Sequence, residues 1–220
     1  MPSAREALLD AAYSALLVRA WADVRMVDVA AAAGVSRQTL YNAFGSKDGL
    51  ARALVRRETE TYLAGVEREL ARGDAGAPGP MDDAAARMTA AATWTLRTAR
   101  ANPLVRAALT GCWGDRLPLG QTGPAELVGR FRERAVAALA PGRPREQLPA
   151  LDAACETAAR LTLSCVIAPA GPEREPEPVR SPADVRAAVP RQRTRPAAEA
   201  EAENAAVSRL VRGAFAGLVG

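Results

Sequence analysis

Gly34-Val35-Ser36-Arg37-Gln38-Thr39-Leu40-Tyr41 is the stretch on which the reading of this chain turns. A short apolar run, Val27 to Ala33, precedes it, and Gly34 stands where a helix that is to stop needs a residue free to take positive φ. Ser36 is placed to cap a second short helix, Arg37 to Phe44. Gly45 closes that helix, and Ser46 caps a long one from Lys47 to about Arg72 with Leu50, Leu54 and Val55 on its inner side. Two short helices joined through Gly-Val-Ser form a helix-turn-helix, whose second helix has the width of a DNA major groove.

The chemistry of that second helix suits base edges. Arg37 can pair bidentately with guanine and Gln38 with adenine, and the Thr39 methyl can meet a thymine methyl. Tyr41 and Asn42 lie one turn on, within reach of bases or phosphates. Lys47, the chain's only lysine, starts a helix whose free N–H groups also favour an anion, so it is a phosphate contact in waiting. Between Gly34 and Arg57 the cations Arg37, Lys47, Arg52, Arg56 and Arg57 face one acid, Asp48. This local surplus says more than the formal charge of +4 on the whole chain. The turn alone would not settle DNA binding, because many helical proteins contain one.

Outward from the motif the pattern is helical throughout. Leu8, Leu9, Ala12, Leu16 and Leu17 share one face of a helix from Ser3 to Arg19, with Ser3 and Glu6 at capping-box spacing, and a turn follows at Trp21 to Arg25. Downstream, Gly73 to Pro80 reads as a loop and Met81 to Ala101 as a helix. Asn102-Pro103 breaks that helix, since the residue before proline avoids the helical region, and a short helix then runs to Thr110. Gly111 to Gly123 reads as irregular, Pro124 to Ala140 and Glu146 to Ala168 as helices. Pro169 to Pro196 is dense in proline and charge and is expected to be a mobile connection with one helical turn at Pro182 to Val189. Ala197 to Val219 closes the chain, with Val207, Leu210, Val211, Phe215 and Leu218 at helical spacing. There is no strand pattern and no internal repeat. The fold expected is all-α, with a helix-turn-helix DNA-binding domain over residues 1–46 and a larger helical effector-binding and dimerisation domain over 47–220.

Composition narrows the function. The 220 residues are 49% hydrophobic and 25% charged, and contain no histidine. That removes the commonest general base and the commonest neutral metal ligand. Cys112, Cys155 and Cys165 form no C-x-x-C pair, so neither a disulfide framework nor a zinc site is expected, and no metal or cofactor. No apolar stretch reaches the roughly 18 residues of a membrane span. Arg5, Glu6 and Asp10 make the N-terminus unlike a signal peptide, so the expected place of action is the cytoplasm.

Val29-Ala30, Ala33-Gly34-Val35-Ser36, Thr39-Leu40-Tyr41, Phe44, Ser46-Lys47 and Leu50 together resemble the DNA-binding signature of the tetracycline-repressor (TetR) family, unbroken in spacing from about Ser3 to Leu54. The resemblance implies about nine helices, a homodimer on a palindromic operator, and a C-terminal domain whose small-molecule effector releases the DNA. By matching position, Ser36, Thr39, Tyr41 and Lys47 would contact phosphates, while Arg37, Gln38 and Asn42 would read bases. Ala30, Val35, Leu40, Phe44 and Leu50 would be core. The chain departs from the pattern twice. Arg25 stands where a capping Thr is usual; either Asp28 partly compensates through the helix dipole, or Arg25 itself touches phosphate. Ala43 stands where an aromatic is common.

In the C-terminal part, the helices at 146–168 and 197–219 are the expected dimer contact. Leu148, Leu151, Cys155, Ala159, Thr162 and Val166 give the first of them a small apolar stripe suited to close packing, on a partner or in the protomer's own core. An effector pocket is expected between Met81–Ala101 and Pro124–Ala140, with Met88, Trp94, Leu104, Leu109, Cys112, Trp113 and Phe131 as lining. Few polar groups converge there, so the expected effector is mostly apolar. The alternatives are a DNA-binding regulator without an effector, either an activator or an architectural protein, and a helical enzyme. An enzyme would have to work from Asp82-Asp83 or Cys112, and adjacent carboxylates on a helix point about 100° apart.

Overall fold

The computed structural model describes residues 3–72, 80–113, 123–169 and 196–216. Nine α-helices occur among them: α1 (Ala4–Val18), α2 (Met26–Ala32), α3 (Arg37–Phe44), α4 (Lys47–Ala71), α5 (Pro80–Ala101), α6 (Pro103–Thr110), α7 (Pro124–Leu139), α8 (Leu148–Ile167) and α9 (Pro196–Ala216). No strand is present among these residues. The turn after α1 contains a 3-10 turn, Trp21–Asp23, and a second one, Arg145–Gln147, takes the first residues expected of α8. The expected loop at 73–79, most of the irregular 111–123 segment, residues 170–195 of the expected connection with its helical turn, and Leu218 lie outside the described residues.

The helix ends follow the local chemistry. Ser3, Ser36 and Ser46 accept the backbone N–H three residues on, from Glu6, Thr39 and Gly49. Asn102 accepts from both Leu104 and Val105, starting α6 at Pro103, whose missing N–H costs nothing there. Gly34 and Gly45 take φ of +67° and +73°, which any other residue would adopt only under strain.

Apolar side chains collect into two cores. The first joins Leu8, Leu9, Ala12 and Leu16 of α1, Trp21 and Val24, Val29 and Ala30 of α2, Leu40 of α3, Leu50, Leu54 and Val55 of α4, and Leu104 of α6. The second takes Tyr62, Leu63, Val66 and Leu70 of α4 and the inner faces of α5 to α9. The chain's hydrophobic allegiance therefore changes within α4, between Val55 and Tyr62, and α6 sends Leu104 back into the first core.

One part of the sequence reading is corrected here. Leu151, Cys155, Ala159, Thr162 and Val166, a stripe suited to a dimer contact, are buried within the protomer. The reason is that α8 is flanked by α5, α7 and α9, so its most apolar face turns inward and leaves Ile167, and Leu210 of α9, exposed. Burial pushes the Cys155 thiol up to about 12, aided by the Asp152 charge, so it stays protonated and inert.

Gly65 was not singled out by the sequence. The Trp94 indole lies against it so closely that a Cβ there would sit 2.2 Å from the ring, and the indole N–H donates to Tyr62 O at 3.2 Å. Glycine in mid-helix is disfavoured by itself, and here it lets α4 and α5 approach through a large ring. Gly65→Ala should therefore destabilise the protein despite alanine's better helix propensity. The expected cost is about 1–3 kcal/mol, with a thermal midpoint lower by several degrees. A midpoint at or above that of the parent would mean that Trp94 moves aside freely.

Candidate nucleic-acid interface

The helix-turn-helix is built from inside out. Leu40 is fully buried and anchors α3 to Leu50 and Leu54 of α4, while its neighbours Arg37, Gln38, Thr39 and Asn42 are exposed. At about 100° per residue, Arg37, Tyr41, Gln38 and Asn42 fan over one outer face. That face is ordered before any DNA arrives. Gln38 Nε2 donates to Asn42 Oδ1 at 2.8 Å, and the Arg37 guanidinium lies 5.3 Å from the Tyr41 ring centroid. Ser36 Oγ and Thr39 Oγ1 are 2.8 Å apart, so the cap and its neighbour form one hydroxyl pair at the start of the helix.

The flanking cations are placed differently. Lys47 donates to Ala22 O at 3.0 Å and sits 5.5 Å from the Trp21 ring, tying the start of α4 to the turn after α1. Arg25 caps α2 by backbone position alone: its side chain makes no cap bond and pairs with Asp28 at 3.0 Å. Arg19 approaches the same carboxylate at 3.9 Å. Arg5 was missed by the sequence reading, because it lies far from the motif in the chain. It reaches across to donate to Ala43 O at 3.0 Å and stacks 4.5 Å from the Phe44 ring centroid.

The expected effector residues separate into distinct environments. Leu109 and Phe131 line a gap of only about 10 Å³ in the second core, with Tyr62, Thr95, Leu127, Val128 and Thr162 around them. Met88 is fully buried in that core but does not line the gap. Trp94 is half-buried, with Arg68 and Arg97 at 5.6 and 5.2 Å from its ring. Leu104 belongs to the first core, Trp113 touches both cores, and Cys112 is exposed. The gap carries three hydroxyls. Tyr62 Oη and Thr95 Oγ1 are 3.2 Å apart, Thr95 also donates to Ala91 O, and Thr162 donates to Ala158 O. Burial holds the Tyr62 phenol well above its ordinary pKa, so it stays neutral. Tyr62 and Thr95 left no motif in the sequence; each is one polar residue in an apolar helical face.

A compact three-helix head with an exposed polar recognition helix, continuous through its fourth helix with a larger helical body, is the build of a helix-turn-helix transcription regulator. Comparison with known proteins gives the family. Residues 8–54 match the model of the bacterial regulatory proteins, tetR family, and residues 83–191 match that of the bacterial tetracyclin repressor C-terminal domain. The chain belongs to the TetR family of transcriptional regulators.

Among relatives, the HTH-type transcriptional regulator AlkX of Mycobacterium tuberculosis is 44% identical over 66 residues, 30% of this chain and 31% of that protein. An uncharacterized HTH-type transcriptional regulator of the same species is 36% identical over 137 residues, 62% of this chain and 59% of that protein. This chain thus spans under two thirds of the length of either relative. The crystal structure of the TetR family repressor AlkX of Dietzia sp., implicated in biodegradation of n-alkanes, superposes with a TM-score of 0.57 at 26% identity, covering 97% of this chain and 96% of that one. The family and these relatives are transcriptional regulators, not enzymes.

The Ser36 hydroxyl holds the first turn of the recognition helix, so Ser36→Ala should cost about 1 kcal/mol. Amide exchange at Thr39 should quicken selectively, while α8 amides stay unchanged. Equal exchange at Thr39 in both proteins would show that the cap carries no stability.

Proposed function

We propose that the chain is a repressor that binds a palindromic operator as a homodimer and is released by a small, mostly apolar effector. The observation that carries the DNA-binding part is the exposed row Arg37, Gln38 and Asn42, seated by the buried Leu40. In this reading those three side chains read bases. Ser36, Thr39, Tyr41, Lys47 and Arg25 grip the backbone, with Lys47 and Arg25 exchanging their present partners for phosphate. Two copies of α3 would enter successive major grooves about 34–36 Å apart. The reading unit is residues 1–46 and the effector and dimer unit 47–220, with α4 carrying the connection. The dimer would form on the outer face of α8 and α9, where Ile167 and Leu210 are 58% and 40% exposed in the single chain.

The effector reading rests on the second core and on the AlkX relatives. Six of the gap's nine lining residues are apolar and three carry hydroxyls that could orient a guest, and a regulator implicated in n-alkane degradation points the same way. At about 10 Å³ the gap holds at most one water, so an effector must force it open. Leu109 lines it from one end of α6, while Leu104, near the other end, is packed in the first core. Asn102, at the start of α6, donates to Glu58 at 2.7 Å, and Glu58 accepts from Arg57, which reaches Asp10 of α1 at 2.7 Å. A shift of α6 would thus reach α1 and α4 together, and change the separation of the two recognition helices. The coupling is bounded by the effector's differential affinity for the two states.

Selection from a random duplex library should enrich a palindrome with the parent protein. It should enrich nothing with Arg37→Ala, Tyr41→Ala; an unchanged motif and affinity in that variant would sink the assignment. With the palindrome in hand, a chain-length series of n-alkanes, alcohols and carboxylic acids should contain a compound that weakens DNA binding about 5–150-fold. Release by none of them would favour a regulator of this family without an effector.

A further inference from the structure

A second cleft lies away from the gap in the core. It has a volume of about 450 Å³ and opens between the helix-turn-helix head and α7, lined by Arg5, Ala43, Phe44, Arg52, Arg56 and Arg130 among others. The other arginines of α4 and of its C-cap are occupied. Arg57 serves Asp10, Glu6 and Glu58, Arg68 lies on Trp94, and Arg72 pairs with Glu69. Arg52 and Arg56 have no ion pair or side-chain hydrogen bond among the described residues, and both are exposed. One helical turn apart, they present two guanidinium groups to the same space, each with a planar fork that fits a carboxylate or phosphate.

The rest of the wall sharpens the ligand's chemistry. Arg5 adds a third cation, already held in place by Ala43 O and the Phe44 ring. Glu60 is neutralised by Arg130 and by Arg134. Glu126, at the α7 edge, is therefore the unpaired acid among the described lining residues. Phe44, Ala43, Ala53 and Val55 supply an apolar side. The volume falls in the range of small-molecule sites and far exceeds that of an inorganic ion. We infer that this cleft is a binding site for a small organic anion, a carboxylate or phosphate monoester on an aromatic or aliphatic body, with Arg52 and Arg56 holding the charged group.

DNA phosphate is the competing occupant. At about 100° per residue, Phe44 lies about 160° round α3 from Asn42 but only about 20° from Arg37, so the cleft begins beside the base-reading face and runs back from it. Its far wall is α7, a helix of the C-terminal body. A ligand there touches α1, α3, α4 and α7 at once, and would bias how head and body sit together without entering the core. The inference requires neither an operator nor an effector in the second core.

The probe is phenyl phosphate, titrated calorimetrically into the full-length protein, with phenol and inorganic phosphate in parallel. Phenyl phosphate should bind saturably at one site per chain, more tightly than either fragment. Arg52→Gln, Arg56→Gln should weaken it about tenfold or more, as expected for losing two charge-assisted contacts. Arg37→Gln should leave it unchanged, and Glu126→Gln, which removes a like charge from the rim, should tighten it. Absence of saturable binding, or equal affinity in the Arg52, Arg56 variant, overturns the inference. So does Glu126→Gln binding no tighter than the parent. In the DNA arm, the Arg52, Arg56 variant should keep the parent's salt dependence on duplex DNA. A slope of log K against log salt reduced by about 2 would assign the two arginines to phosphates of DNA and overturn the small-anion site.

Discussion

The structure depends on one shared helix. α4 gives Leu50, Leu54 and Val55 to the core of the head and Tyr62, Leu63, Val66 and Leu70 to the core of the body. At about 1.5 Å per residue it is a rod of about 38 Å, and neither core is complete without it. The head cannot bury its apolar face on three short helices alone, so its stability is borrowed from the helix that belongs equally to the body. A rearrangement in the body that moves α4 must therefore carry the recognition helix with it.

What fixes the angle of that rod is polar as well as apolar. Arg57 and Glu58 are neighbours paired with each other at 2.9 Å, and each also reaches a different half: Arg57 to Asp10 of α1, Glu58 to Asn102 at the break between α5 and α6. Each is only partly buried, so no single pair contributes much. Their value lies in direction, because they tie the same turn of α4 to both halves. Higher on α4, Arg87 of α5 donates to Leu70 O near the end of α4 and to Ala138 O near the end of α7 at 3.1 Å. One guanidinium thus satisfies terminal carbonyls of two helices that would otherwise lack partners.

Much of this was legible in the sequence, and for definite reasons. Helix ends announce themselves through residues with one local job: Ser36 and Ser46 as caps, Gly34 and Gly45 at positive φ, Asn102-Pro103 as a break. Those signals act within four residues, so the boundaries of α3, α4 and α6 follow from the sequence almost to the residue. The recognition face was legible because Leu40 alone among Arg37 to Asn42 must be buried. Arg5 against Ala43 was not, since 38 residues separate the partners. Neither was Gly65, whose purpose appears only when Trp94 of another helix arrives beside it.

The division of α8 shows where periodicity runs out. A stripe of Leu151, Cys155, Ala159, Thr162 and Val166 says that a face is buried, and both a partner copy and the protomer's own core satisfy that. Only the neighbours of α8 decide it: flanked by α5, α7 and α9, the helix spends its apolar stripe internally. The same ambiguity governs Leu104 and Leu109. Read as sequence they are equivalent apolar positions on one short helix. In the fold they face different cores, and that difference makes α6 a bridge between the core of the body and the core of the head.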